Sequence, residues 1–158
     1  MRHNNKRALA YATDAPTELT EDGPKLMKSE KKVFLVVEDF EDSRFMMRRL
    51  LEMAGYQVLE ASDGEQAVKI AVDARPSLIL MDLSLPKLDG LSATREIRKK
   101  RLLRKIPIVA VSAHDSPQTR AEALAAGCNE YVTKPIDFDI LNSVLERYLN
   151  ESPSTPSA

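Results

Sequence analysis

Four kinds of side chain able to do chemistry stand at the ends of short apolar runs. Asp82 closes the run that opens LILMDLSLPKLDG (residues 78–90), and Glu38 and Asp39 close VFLVVED (residues 33–39). Ser112 ends IVAVSA (residues 108–113), and Lys134 ends YVTKP (residues 131–135). A short, fully apolar run bounded by turn residues reads as a strand buried on both faces, as in a parallel sheet. In open α/β sheets, ligands bind outside the carboxyl ends of the strands. A carboxylate there, with an ordinary pKa of about 3.9, is ionised near neutral pH and can serve as nucleophile or metal ligand. The plainer reading of Asp82, a cap for the following loop, stays open on this residue alone. If the strand ends converge, three carboxylates meet. They disfavour one another's ionised forms and so require a cation.

The elements that must position these groups alternate strictly. After the first strand, Asp42 or Ser43 can cap a helix with Met46, Met47, Leu50, Leu51 and Ala54 on one face, ended by Gly55. Residues 56–61 alternate as a second strand. Asp63-Gly64 opens a helix with Ala67, Ile70, Ala71 and Ala74 at helical spacing, and Pro76 stops it. After Asp82, a third helix is predicted from about Asp89 into IRKKRLLRK. Its basic cluster (Arg98, Lys99, Lys100, Arg101, Arg104, Lys105) reads as a solvated helix end complementing the dipole. No aromatic residue interleaves the cluster, so direct nucleic-acid binding is not expected. The fourth strand precedes an Ala-rich helix over residues 118–126, ended by Gly127. The fifth leads to a helix capped by Asp137, with Ile140, Leu141, Val144, Leu145, Tyr148 and Leu149 as its buried stripe. Five β-α units predict a parallel sheet covered on both faces through right-handed crossovers.

The chain of 158 residues has room for one such core, and 23 basic against 24 acidic residues leave it nearly neutral. The single Cys128 excludes an internal disulfide and is expected to be a buried, unreactive thiol. No apolar run approaches the roughly 18 residues of a membrane span, and no secretory h-region opens the chain. A cytoplasmic protein without membrane insertion is expected. Residues 1–31 lack helical or strand period and are expected to stay unordered, as is the low-complexity tail over 152–158. MKSEKK (residues 27–32) also reads as a translation start, which leaves residues 1–26 open as part of the mature chain.

Acid pair, acid, hydroxyl and lysine, in this order and on successive strand ends, resemble a response-regulator receiver domain over residues 32–151. The resemblance implies a flavodoxin-like (βα)5 doubly wound α/β fold with strand order 2-1-3-4-5. It implies a stand-alone signalling protein, not a turnover enzyme. Asp82 would accept a phosphoryl group from a histidine kinase or histidine phosphotransfer protein and pass the state on by conformational change or phosphorelay. Mg2+ is the implied cofactor, a hard ion suited to a few carboxylate oxygens plus water. Asp39 and Asp82 would bind it directly, Glu38 mostly through water, and Ser84 through its backbone carbonyl. Glu38-Asp39 stands where many members have two aspartates, which leaves the contact of Glu38 open.

Phosphoryl transfer asks the protein for positioning and charge stabilisation more than for covalent chemistry. By resemblance, Lys134 and Ser112 hold phosphoryl oxygens, Ser112 and Tyr131 form the switch, and the Lys134–Pro135 bond is commonly cis. His114 lies on a loop and is read as a surface residue, not a phosphodonor. Two other functions are weighed. An aspartate-nucleophile phosphohydrolase would resemble D-x-D, whereas Asp82-Leu83-Ser84 lacks the second acid. A phosphorylation-independent adaptor has no need of the complete acid, hydroxyl and lysine set. The cognate kinase and the downstream protein target are not legible in the sequence.

Overall fold

Unbroken apolar runs become the inner strands. The computed structural model describes residues 31–150, and most of the expected extension and all of the expected tail lie outside the described residues. β1 (Val33–Val37), β3 (Leu78–Asp82) and β4 (Ile108–Ser112) form the centre, with β2 (Gln57–Ala61) and β5 (Glu130–Thr133) at the edges. The order is β2-β1-β3-β4-β5, and every neighbouring pair is parallel. This is the 2-1-3-4-5 order that the resemblance implied. β3 and β4 are buried along their whole length, whereas the edge strands are only partly buried.

Alternate residues of each strand feed opposite cores, as the pleat requires. Leu35, Val37, Ile79, Met81, Ile108 and Ala110 join Ala67 and Ala71 of α2 (Gly64–Ala74), Ala93 and Ile97 of α3 (Gly90–Lys99) and Ala123 of α4 (Pro117–Ala126). Phe34, Val36, Leu78, Leu80 and Val109 join Leu51 of α1 (Glu41–Met53) and Leu141, Val144 and Leu145 of α5 (Phe138–Leu149). Small alanines on α2, α3 and α4 let three helices cover one face. Burying side chains of this size contributes about 1.5–3 kcal/mol for each large aliphatic one.

Most helix boundaries follow local chemistry. Asp63, Asp89, Ser116 and Asp137 each accept a backbone N–H of the first turn, which satisfies donors a helix start otherwise leaves orphaned. Gly55 and Gly127 follow α1 and α4 with φ of 102° and 118°, the left-handed region that glycine occupies without strain.

Three local readings are corrected. α1 starts at Glu41 with Phe40 at its N-cap, and neither Asp42 nor Ser43 caps it. The Phe40 N–H is instead taken by the Glu38 carboxylate at 3.1 Å, so the strand-end acid itself sets the turn into α1. α3 stops at Lys99, where Lys100 turns extended and a 3-10 turn, Arg101–Leu103, carries Leu103 into the core. Ile140 and Met46 are 55% and 59% exposed, so the apolar stripes of α5 and α1 are narrower than their spacing suggested. Among the described residues, no helix is long and apolar enough to cross a membrane.

Candidate functional site

Register places the chemistry. Val37 of β1 stands opposite Met81 of β3, Asp82 opposite Val111 of β4, and Ser112 opposite Thr133 of β5. The next residues, Glu38 and Lys134, therefore leave the sheet along the same carboxyl edge as Asp82 and Ser112. Glu38 stays on the ladder, its N–H donating to the Ala61 carbonyl at 3.0 Å. The Lys134 N–H donates to the Ser112 carbonyl at 2.9 Å, and the Lys134–Pro135 bond is cis.

The side chains then converge. Lys134 Nζ donates to Asp82 Oδ2 and to Glu38 Oε1, both at 3.0 Å. Asp82 and Glu38 are 4% and 8% exposed, while Asp39 is open to solvent. Carboxylate oxygens of Glu38, Asp39 and Asp82 lie within 4.8 Å of one another. Burial pushes the Glu38 carboxyl above its ordinary range, opposed by hydrogen bonds from Lys134 and the Phe40 N–H, with the charge of Asp82 adding to the rise. Burial pulls Lys134 the other way from its partners. The hydrogen bonds and charges of Asp82 and Glu38 win, and the ammonium sits above its ordinary value. One cation thus partly compensates a cluster of three acids.

The loop after β3 is held tightly beneath this cluster. Asp82 Oδ1 accepts the Ser84 N–H at 3.0 Å, so Ser84 stands beside the cluster with its side chain exposed. A Cβ on Gly90 would come within 2.2 Å of the Asp82 carbonyl oxygen, and one on Gly64 within 1.9 Å of the Leu88 carbonyl oxygen. Only glycine lets α3 start directly under Asp82 and α2 start against the β3–α3 loop.

Ser112 is buried, and its Oγ accepts the His114 N–H at 3.0 Å. Tyr131 is half-buried, its hydroxyl on the His114 carbonyl and the Arg120 guanidinium 4.7 Å from its ring centroid. His114 is exposed on the loop after β4, and Cys128 is buried beside Thr94, where burial raises its thiol pKa. The structure therefore brings Glu38, Asp39, Asp82, Ser84 and Lys134 together, and places Ser112 and Tyr131 on either side of the His114 backbone. Sequence reasoning missed Arg44, which donates from Nη1 to the Glu38 carbonyl at 3.0 Å. Its signal was faint: a basic residue in the first turns of a helix, where the dipole favours acids.

A carboxyl-edge acid cluster under one lysine, with a hydroxyl on the next strand, defines a receiver of two-component signalling. The response regulator receiver domain family matches residues 34–146, and the chain belongs to that family. Alkaline phosphatase synthesis transcriptional regulatory protein PhoP of Bacillus subtilis is 36% identical over 121 residues, 77% of this chain. The match covers 50% of PhoP, so this chain spans about half of that relative's length. Polar-differentiation response regulator DivK of Brucella anthropi is 33% identical over 121 residues, 77% of this chain and 98% of DivK. The receiver domain of sensor histidine kinase PA1611 from Pseudomonas aeruginosa PAO1 superposes with a TM-score of 0.73 at 38% identity, over 77% of this chain and 100% of that one. That crystal structure has a magnesium ion coordinated in the active-site cleft. The Saccharomyces cerevisiae Ssk1 receiver domain, solved with histidine phosphotransfer protein Ypd1, gives 0.70 at 30% identity, over 75% and 88% of the two chains.

Proposed function

We propose that residues 32–151 form a phosphoacceptor in which Asp82 takes a phosphoryl group from the histidine of a kinase or phosphotransfer protein. The observation that carries this reading is the shared ammonium of Lys134, 3.0 Å from both Asp82 and Glu38 at the buried end of β3. An Asp82 oxygen attacks phosphorus, the O–P bond forms, and the P–N bond to the donor breaks. The donor's imidazole keeps the electron pair and takes up a proton. Lys134 stays charged and moves its donors from carboxylate to phosphoryl oxygen. Ser112 supplies a hydroxyl to another phosphoryl oxygen once it gives up the His114 N–H.

The donor set suits a divalent cation: three carboxylates, oxygen only, one of them open to water. Asp39 and Asp82 would hold it directly, with the Ser84 carbonyl as a third ligand and Glu38 acting mostly through water. The chemistry such an ion would supply is neutralisation of negative charge on the acid cluster and on the phosphoryl oxygens.

Access for a protein donor is also provided. A cavity of about 310 Å3 opens beside Glu38, Asp82 and Lys134, lined by Met46, Met47 and Leu50 of α1 and by Phe138. Met46, one of these lining residues, stands more than half exposed. This apolar rim suits the helix that carries a partner's reactive histidine.

Incubation with acetyl phosphate and Mg2+ tests the reading by intact mass. The wild-type chain gains one phosphoryl group, the gain disappears with EDTA, and Asp82→Asn gains none, because an amide is not a nucleophile. A wild-type chain that gains nothing is a phosphorylation-independent adaptor, and the proposal fails.

A further inference from the structure

We infer that Arg44 is a positioning residue for the acid pair, tying the Glu38–Asp39 peptide to the edge strand β2 through Glu60. The inference rests on the metal-binding reading of Asp39 and Asp82 above.

Asp39 is the exposed member of the acid cluster. Among the described residues, no side-chain hydrogen bond holds its carboxylate. Its place is therefore set by the backbone that carries it, and above all by the peptide joining it to Glu38. That peptide's carbonyl is the group Arg44 Nη1 donates to at 3.0 Å. The same guanidinium donates from Nε to Glu60 Oε1 at 2.9 Å. Glu60 immediately precedes Ala61, whose carbonyl accepts the Glu38 N–H at 3.0 Å. Both ends of Glu38 are thus fastened to two consecutive residues of β2, one directly and one through Arg44.

The geometry needs an arginine. A rigid planar fork can face a backbone carbonyl and a carboxylate at once, whereas a lysine is a single point charge. Arg44 is also the better covered partner, its side chain 18% exposed against 34% for Glu60. Arg48, one turn further along α1, supplies a natural control. Its Nε lies 2.9 Å from Glu60 Oε2, off the hydrogen-bond line, and it makes no hydrogen bond to Glu38 or Asp39. Arg44 and Arg48 share one acid on one helix, and only Arg44 reaches the loop.

The test is Mg2+ affinity by calorimetry or NMR titration on the full chain, with melting temperature measured in EDTA for every variant. Residues that orient metal ligands typically cost 10–100-fold in affinity when removed, so Arg44→Ala is expected to weaken Mg2+ binding by about tenfold. Arg44→Lys recovers only part of the loss, and Glu60→Gln, which keeps a neutral acceptor, loses less than Arg44→Ala. Arg48→Ala leaves the affinity unchanged even if it lowers the melting temperature as much as Arg44→Ala does. Equal losses of affinity in the Arg44 and Arg48 variants, or wild-type affinity in Arg44→Ala, overturn the inference. Asp39→Ala separates the two levels. If it abolishes binding while Arg44→Ala does not weaken it, the positioning role alone falls; if it binds Mg2+ like the wild type, the metal reading falls too.

Discussion

Two cations at opposite edges of the sheet each gather several chain segments, and they do so for different ends. At the carboxyl edge, Lys134 joins the carboxylates of Glu38 and Asp82. At the amino edge, Arg98 at the end of α3 donates to the carbonyls of Gly127, Leu103 and Arg104 at 2.9, 3.1 and 3.2 Å, and to Asn129 Oδ1 at 2.9 Å. Asn129 Oδ1 also accepts the Ile108 N–H, so the guanidinium staples the entries to β4 and β5. Burial lowers Arg98 from its ordinary value, and Lys134 escapes that fate only because two carboxylates face it. Acceptors that carry charge can exchange a lysine for a metal or a phosphoryl group. Neutral carbonyls offer nothing to exchange, so the Arg98 convergence is purely structural.

Exchanging each cation for alanine should split the two roles. Lys134→Ala is expected to slow phosphorylation by acetyl phosphate by about 100-fold or more, the scale for losing a donor aimed at developing charge. Its fold persists, and the rise in melting temperature caused by Mg2+ becomes larger, because the acid cluster has lost its resident cation. Arg98→Ala should cost about 2 kcal/mol or more in urea unfolding, the scale for charged hydrogen bonds. Its Mg2+ affinity and phosphorylation rate stay at the wild-type level. A phosphorylation defect in Arg98→Ala with full stability would break the contrast.

A smaller effect concerns the switch. A phosphoryl group shifts an equilibrium only if it binds two conformations differently. Ser112 and Tyr131 both hold the backbone of His114, one accepting its N–H and the other donating to its carbonyl. Beryllofluoride with Mg2+ is therefore expected to move NMR signals along α4, β5 and α5 as well as at the site. Ser112→Ala shrinks those distant shifts and leaves Asp82 able to accept phosphate. Shifts confined to the loops around Asp82 in the wild type would favour a plain relay.

The smallest effect lies in the core. Cys128 packs against Thr94, and burial raises its thiol pKa. A raised acid pKa contributes stability that is present below the unfolded thiol's value and is lost as pH rises through the folded value. Urea titrations should show a shallow alkaline loss that Cys128→Ser removes, and a thiol reagent at neutral pH should label the chain only after unfolding. Rapid labelling of the native protein contradicts this.

What was legible in the sequence is what neighbouring residues decide among themselves. Apolar runs gave four strands and alternation over residues 56–61 the fifth, and Asp63, Asp137 and Gly127 marked helix ends with their own side chains or backbone freedom. Asp82, Glu38, Asp39, Ser112 and Lys134 were visible because each stands just past such a run. The start of α1 was not legible, since its cap donor is taken by Glu38 across the strand end and not by the polar residues at Asp42 and Ser43. The basic cluster read as one solvated helix end. Instead Arg98 turns back onto the entry to β5, a partner 29 residues away in the sequence. Arg44 was missed for the same reason, because its meaning depends on β2 lying beside β1.

The central claim is that the carboxyl-edge convergence delivers one particular carboxylate to a phosphoryl donor. The most direct measurement treats the full chain with acetyl phosphate and Mg2+, reduces the acyl phosphate with borohydride, and locates the reduced residue by peptide fragmentation. Reduction confined to Asp82, and absent from Lys134→Ala under the same exposure, is the predicted result. Reduction at Asp39, Glu38 or an acid outside the cluster, or a stable phosphate on His114, would contradict it.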